Sequence, residues 1–249
     1  MSEIRIIGLQ GLPEIRDRDD LAMLIIASVR EAALKIADRD LFVIAQKVVS
    51  KAEGRTVDLN SISPSPRARE WAEAYAKDPR LVEVVLAQSR SIIRMEHGVI
   101  ISETEHGFIC ANAGVDASNT PDSTAVLLPV DPDASARRIK AALETAFGVR
   151  LGVIISDTFG RPWREGLVNV ALGVAGIAPI VDYRGQLDSH GRPLRVTTIA
   201  VVDELASAAE LLMGKTGQVP VVIVKGFDYE AREASGRELS RDPARDLFR

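Results

Sequence analysis

Apolar positions along the chain fall into two spacings. In "DDLAMLIIASVREAALKI", residues 19–36, Leu21, Leu24, Ile25, Ser28, Val29, Ala32 and Ile36 share one face at helical period, which predicts an amphipathic helix. The same period recurs in "DASARRIKAALETAFG", residues 133–148, and in "ELASAAELL", residues 204–212. Ser65 with Pro66, and Asp78 with Pro79, each supply a capping side chain followed by a first-turn proline, so helices are predicted to begin at both places. Short apolar runs read as strands: "IRIIG" (4–8), "GVIIS" (98–102), "GFICANAGV" (107–115), "RLGVIISD" (150–157), "VTTIAVVD" (196–203) and "VPVVIVKG" (219–226). "LFVIAQKVVSKAEGR" (41–55) begins as a β-rich run and is expected to end in a polar loop. Strands and helices intermix without repeat, low-complexity tract or linker, which predicts a mixed α/β architecture. The segment 228–249 alternates charge densely and is expected to be a solvated helix or tail after a body spanning 1–227.

Composition narrows the function. With 249 residues, 46% hydrophobic and 27% charged, the chain can bury a substantial core. A net charge of -4 gives no electrostatic reason to expect nucleic acid. The apolar runs are strand-length and no signal peptide opens the chain, so a cytoplasmic protein with no membrane association is expected. Cys110 is the only cysteine, which excludes an internal disulfide and a thiolate zinc site; inside "GFICANAG" it reads as a buried small residue. No G-x-S-x-G elbow occurs, and His97, His106 and His190 are too dispersed for a metal motif.

Polar chemistry gathers where apolar runs stop. "RLGVIISD" is followed at once by Thr158, and "NAGVDASN" places Asp116 and Asn119 after another apolar run. Such residues commonly form turns, yet two carboxylates and a hydroxyl released at strand ends would also supply hard oxygen ligands for magnesium or manganese. Lys47, Lys51 and Arg55, and Arg161 and Arg164 around Trp163, could meet phosphate or carboxylate, or form surface ion pairs. "MGKTGQ" (213–218) is not a P-loop: that motif needs glycine where Ala209 stands, and a strand rather than a helical segment before it.

Taken in order, "GLPEI", "QKVVSKAEGR", "NAGVDASN", "SDTFGRPWREG", "VDYRGQLDSHGRPL" and "DELASAAELLMGK" resemble the coenzyme F420-0:γ-glutamyl ligase family in its stand-alone form, over about residues 6–226. The resemblance implies an α+β fold with largely antiparallel or mixed sheets, forming a homodimer. It also implies that GTP and a divalent metal, Mg2+ or Mn2+ as two ions with K+ as a further candidate, serve to join L-glutamate to the terminal carboxylate of F420-0. An acyl phosphate would form, GDP and phosphate would leave, and later rounds would extend a γ-linked tail. A non-catalytic nucleotide-binding regulator on the same scaffold is the alternative, and a metal-dependent phosphatase a third.

Carried across residue by residue, the family's nucleotide contacts fall on Leu12, Pro13, Glu14, Ile15, Gln46, Lys47, Lys51 and Asn119, and on Met213, Gly214, Lys215, Thr216, Gly217 and Gln218. Its metal ligands fall on Asp116, Asp157 and Thr158; Lys51, Asp116 and Asp157 are the expected catalytic set. Arg161 and Arg164 are candidates for the anionic substrate from their position alone. One departure stands out. Archaeal relatives place an acidic metal ligand after Met-Gly of the late loop, where this chain has Lys215, and an ammonium cannot ligate a cation. Either the second metal is held without that side chain, or Lys215 itself meets phosphate; actinobacterial relatives have a similar lysine.

Overall fold

The computed structural model describes residues 3–118 and 123–246. In chain order the first half contains β1 (Arg5–Gly8), α1 (Leu21–Glu31), β2 (Leu41–Ala45), α2 (Gln46–Ala52), β3 (Thr56–Asp58), α3 (Pro66–Ala74), α4 (Pro79–Ala87), β4 (Ser89–Glu96), β5 (Val99–Thr104) and β6 (Ile109–Ala111). The second half adds β7 (Thr124–Val126), α5 (Pro132–Phe147), β8 (Gly152–Arg161), β9 (Arg164–Ala175), β10 (Val181–Asp182), β11 (Thr198–Ile199), α6 (Val201–Met213) and β12 (Val221–Lys225). The α+β architecture with mixed sheets expected from sequence is present.

A five-stranded sheet, ordered β1-β12-β2-β8-β9, carries the site. Only β2 and β8 in it run parallel, Leu41 facing Gly152 and Ala45 facing Ser156. β2, β12 and the first half of β8 are apolar runs because both faces of the sheet are covered there. Phe42, Ile44, Val153, Ile155, Val221 and Ile223 point to one side, where they meet Ile25 and Val29 of α1 and Ile139 and Leu143 of α5. Leu41, Val43, Ile154, Val222 and Val224 point to the other, against Val202, Leu205 and Ala209 of α6. Alternation along each strand thus places α1 and α5 on one face and α6 on the opposite one.

A smaller layer lies beside this sandwich. β4, β5 and β6 form an antiparallel sheet, and α3 and α4 pack Ala68, Ala72, Val82 and Val85 against Ile100 and Ala113. Both helices start as predicted: Ser65 Oγ accepts from Ala68 N, and Asp78 accepts from Arg80 N, each with proline in the first turn.

Three local expectations differ from the structure. α1 stops at Glu31 instead of running through Ile36. The polar loop expected after β2 is α2, a two-turn helix whose Val49 is buried in the main core and whose Val48 and Ala52 pack beside it. Paired valines read as strand in a segment too short to show a period. Likewise "VTTIAVVD" contributes only the two residues of β11, since Val201 and Val202 already begin α6. The charged segment from Asp228 contains no α-helix among the described residues. It runs extended with single 3-10 turns at Gly236–Leu239 and Pro243–Arg245, and it is anchored at two points. Tyr229 is buried beneath the Arg39 guanidinium, 4.8 Å from its ring centroid, and Gly236 N donates to Asp133 at 2.9 Å. A Cβ on Gly236 would meet Leu172 O at 2.3 Å, so only glycine permits that approach to β9.

Candidate active site

The parallel pair β2 and β8 opens at one end of the sheet, and the chain leaves both strands there with polar residues. β2 passes directly into α2, placing Gln46, Lys47 and Lys51 at the opening. β8 continues through Ser156, Asp157 and Thr158. α6 ends nearby at Met213, where Gly214 adopts φ 53° and ψ -165°, a conformation that glycine alone reaches cheaply, and turns the 214–218 loop over the opening. Together they line a cavity of about 1060 Å³. That volume suits a nucleotide with a second substrate. A smaller cavity of about 310 Å³, beside Phe108, Phe159 and Leu239, contains none of the residues singled out from sequence.

The larger cavity gathers most of those residues: Leu12 to Ile15, Gln46, Lys47, Lys51, Asp116, Asp157, Thr158, Met213 to Thr216, and Gln218. Gly217 does not line it, and Asn119 lies outside the described residues. Arg161 and Arg164 also stand apart, at the tip of the β8–β9 hairpin, where Arg161 donates to Glu165 O at 2.6 Å and Arg164 is exposed. Gly160 and Leu167, lower on the hairpin, reach the cavity wall instead. His190 sits in an exposed turn with Asp188.

Cationic groups face acidic ones throughout. Lys51 Nζ donates to Glu14 at 2.6 Å, its stem buried and its ammonium at the cavity. Lys47 Nζ lies 2.6 Å from Asp116 Oδ2 and donates to Ser118 O at 2.7 Å. Burial works to raise the Asp116 carboxyl, but the hydrogen bonds from Lys47 and Ser118 outweigh it and hold the group below its ordinary value. Asp157 behaves oppositely. Burial pushes its carboxyl up to about 6; the Thr158 N–H opposes this, the Asp116 charge adds to it, and Lys215 and Lys47 pull it down. Two carboxylates of unequal proton affinity therefore share one cavity.

Sequence reasoning missed Asn169 and Glu210. Thr158 Oγ1 donates to Asn169 Oδ1 at 2.7 Å, Asn169 Nδ2 donates to Glu210 Oε2 at 3.0 Å, Glu210 Oε1 pairs with Lys215 at 3.1 Å, and Lys215 Nζ donates to Thr158 Oγ1 at 2.6 Å. The ring closes on itself. Asn169 had a readable signal, as a lone amide within apolar "LVNVAL" that becomes 3% exposed. Glu210 had none, because a glutamate on an amphipathic helix looks like solvated surface. Ser156 also reaches the cavity wall, and its buried hydroxyl finds no hydrogen-bond partner among the described residues.

The donor set fits a divalent cation. Asp116, Asp157 and Thr158 offer hard oxygens, and desolvation holds the half-buried Asp157 carboxyl up, a shift that a nearby cation would oppose. Among the described residues no three His, Cys, Asp or Glu side chains form a metal-holding group. Two carboxylates and a hydroxyl suit an ion that also takes water and phosphate oxygens, and would not suit a closed structural site. Cys110 contributes nothing nucleophilic, since burial, with the Asp157 charge, pushes its thiol up to about 12. Iodoacetamide at mildly alkaline pH should leave Cys110 unmodified in the folded protein and alkylate it fully in denaturant, as read by intact-mass measurement.

A family model for F420-0:gamma-glutamyl ligase matches residues 10–226. The coenzyme F420:L-glutamate ligase of Methanothermobacter thermautotrophicus is 49% identical over 249 residues, covering 99% of each chain. The enzyme of the same name from Methanopyrus kandleri is 46% identical, covering 95% of this chain and 94% of its own. The one from Methanocaldococcus jannaschii is 41% identical, covering 99% and 97%.

Proposed function

The chain belongs to the F420-0:gamma-glutamyl ligase family, and on that premise we propose that it joins L-glutamate to the terminal carboxylate of coenzyme F420-0 at the expense of GTP. Further glutamates are then added through γ linkages. Full-length relatives named for F420:L-glutamate ligation support the reaction class. The single observation that carries the finer reading is the convergence of Lys47, Lys51, Asp116, Asp157, Thr158 and Lys215, from four separate stretches of chain, on one cavity large enough for a nucleotide and an acceptor.

Amide formation from a carboxylate needs a leaving group better than oxide. Phosphoryl transfer from GTP to the acceptor carboxylate supplies one, as an acyl phosphate, and the glutamate amine then displaces phosphate. The protein's contribution is positioning and charge. Lys51 and Lys47 offer ammonium groups for phosphate oxygens, leaving Glu14 and Asp116 as they do so. Asp116, Asp157 and the Thr158 hydroxyl would hold Mg2+ or Mn2+, which would supply neutralisation of phosphoryl charge. Leu12 to Ile15 and the 213–218 loop wall the nucleotide. Gln46 shapes that wall: its amide is committed to Ser50 and Leu127 O, which fixes the start of α2. Arg161 and Arg164, at the hairpin tip and outside the cavity lining, remain candidates only for a part of an anionic acceptor that extends beyond the cavity.

A homodimer accords with exposed apolar side chains on the β8–β9 hairpin and the β10–β11 connection, Trp163 at 84% and Val196 at 85% exposure. A cytoplasmic setting accords with the lone free cysteine. No helix among the described residues is long and apolar enough to cross a membrane.

Mass spectrometry of purified protein with F420-0, GTP, L-glutamate and Mg2+ or Mn2+ tests the proposal. Glutamate-sized additions that require GTP and metal are the expected result. Nucleotide binding without any addition would replace it with the regulator, and phosphate release independent of glutamate with a phosphatase.

A further inference from the structure

We propose that Lys215 is a resident cation of this site: its ammonium, tethered by Glu210, occupies the face of Thr158 that a divalent cation would use, so metal binding and the placement of the 214–218 loop are coupled. The inference rests on the reading of Asp116, Asp157 and Thr158 as cation ligands.

Asn169 gives its Nδ2 to Glu210, which turns its Oδ1 toward Thr158 and claims the hydroxyl proton at 2.7 Å. Thr158 therefore presents only lone pairs to the cavity, the orientation a cation needs. Lys215 Nζ, at 2.6 Å, already takes that face. An ammonium and a divalent ion on one oxygen would repel strongly, so the ammonium must withdraw when the ion arrives. It is able to. The Lys215 side chain is 61% exposed, it follows the Gly214 turn, and Glu210 Oε1 at 3.1 Å keeps it local once Thr158 is released.

Lys47 covers Asp116 in the same way, with Ser118 O as its second partner. Each candidate ligand beside Asp157 thus carries a lysine, and metal alone must displace both. Phosphate changes the balance, because its oxygens give the displaced ammonium groups new anionic partners within the cavity. Metal and nucleoside triphosphate should consequently bind with positive coupling, each tightening the other. Glu210 and Asn169 act as positioning residues, one holding the lysine and the other fixing the hydroxyl.

The test is Mn2+ binding to the full chain by calorimetry, with and without the β,γ-imido analogue of GTP, for the native protein, Lys215→Gln and Asp157→Asn. Melting curves establish that each variant is folded. Lys215→Gln is expected to tighten Mn2+ binding in the absence of nucleotide by roughly tenfold and to shrink the further gain produced by the analogue. Mn2+ affinity that is unchanged or weaker in Lys215→Gln, while Asp157→Asn abolishes binding, overturns the resident-cation proposal and leaves the ligand reading intact. Mn2+ binding that Asp157→Asn leaves untouched overturns the ligand reading, and the proposal with it.

Discussion

Asp157→Asn is expected to lower ligation turnover by at least about two orders of magnitude, the scale lost when developing phosphoryl charge is deprived of a positioned cation, while the metal-free protein melts at the same temperature or slightly higher. The substitution keeps size and shape but removes the negative charge that makes a carboxylate a strong ligand for a hard ion. The stability direction follows from the raised carboxyl. Its folded value is about 6 against an ordinary 3.8, so the fold favours the protonated form. The associated stability is present below the ordinary value and lost as pH rises through about 6. At neutral pH the ionised side chain is therefore a burden on the metal-free fold, which asparagine does not carry. Turnover and melting curves with and without Mn2+ check both halves. A role as a strand-end cap alone would give the reverse: lower melting temperature and near-normal turnover at saturating metal.

Lys51→Ala should lower turnover by a similarly large factor, on the order of a hundredfold, by removing a phosphate-facing charge from a partly desolvated wall. The competing explanation is a structural ion pair with Glu14. Glu14 is 73% exposed on its side-chain atoms, and such a pair contributes only about 0–1 kcal/mol. Glu14→Gln separates the two. A structural pair predicts matched, small losses of stability from either substitution and little kinetic change. A phosphate-binding Lys51 predicts a severe kinetic defect in Lys51→Ala and a mild one in Glu14→Gln. Steady-state kinetics with varied GTP, alongside melting temperature, checks this. Unchanged kinetics in Lys51→Ala would remove Lys51 from the mechanism.

The helices were legible where capping and period agreed, as at Ser65-Pro66 and Asp78-Pro79. The apolar strand runs were legible because a sheet covered on both faces needs them. What failed to show were elements whose periodicity was too brief, such as α2, and β9, whose "LVNVAL" run hides between charge and glycine. The site divided similarly. Asp116, Asp157 and Thr158 stand at strand ends, where an abrupt change from apolar to polar is visible in one dimension. The Thr158–Asn169–Glu210–Lys215 ring was not visible, because it exists only once β9 and α6 lie beside β8. Arg161 and Arg164 show the converse: proximity in sequence to Asp157 suggested a shared cavity, but neither lines it, and Arg161, at the hairpin tip, turns back to Glu165 O.

The adjacency of β2 and β8 also governs how the protein folds. Ala45 and Ser156 face each other across the parallel pair, though the chain between them must first build α2, the smaller sheet and α5. Closing so large a loop is entropically costly and is repaid only by the full set of sheet contacts, which places this pairing among the slow, high-contact-order steps. The residues that line the cavity are spread from Leu12 to Pro220, so the site is complete only when nearly the whole chain has been made. Nascent chain leaving the ribosome would thus acquire nucleotide affinity abruptly and late, after the 213–218 loop and β12 have emerged and β12 has docked beside β2, rather than in increments.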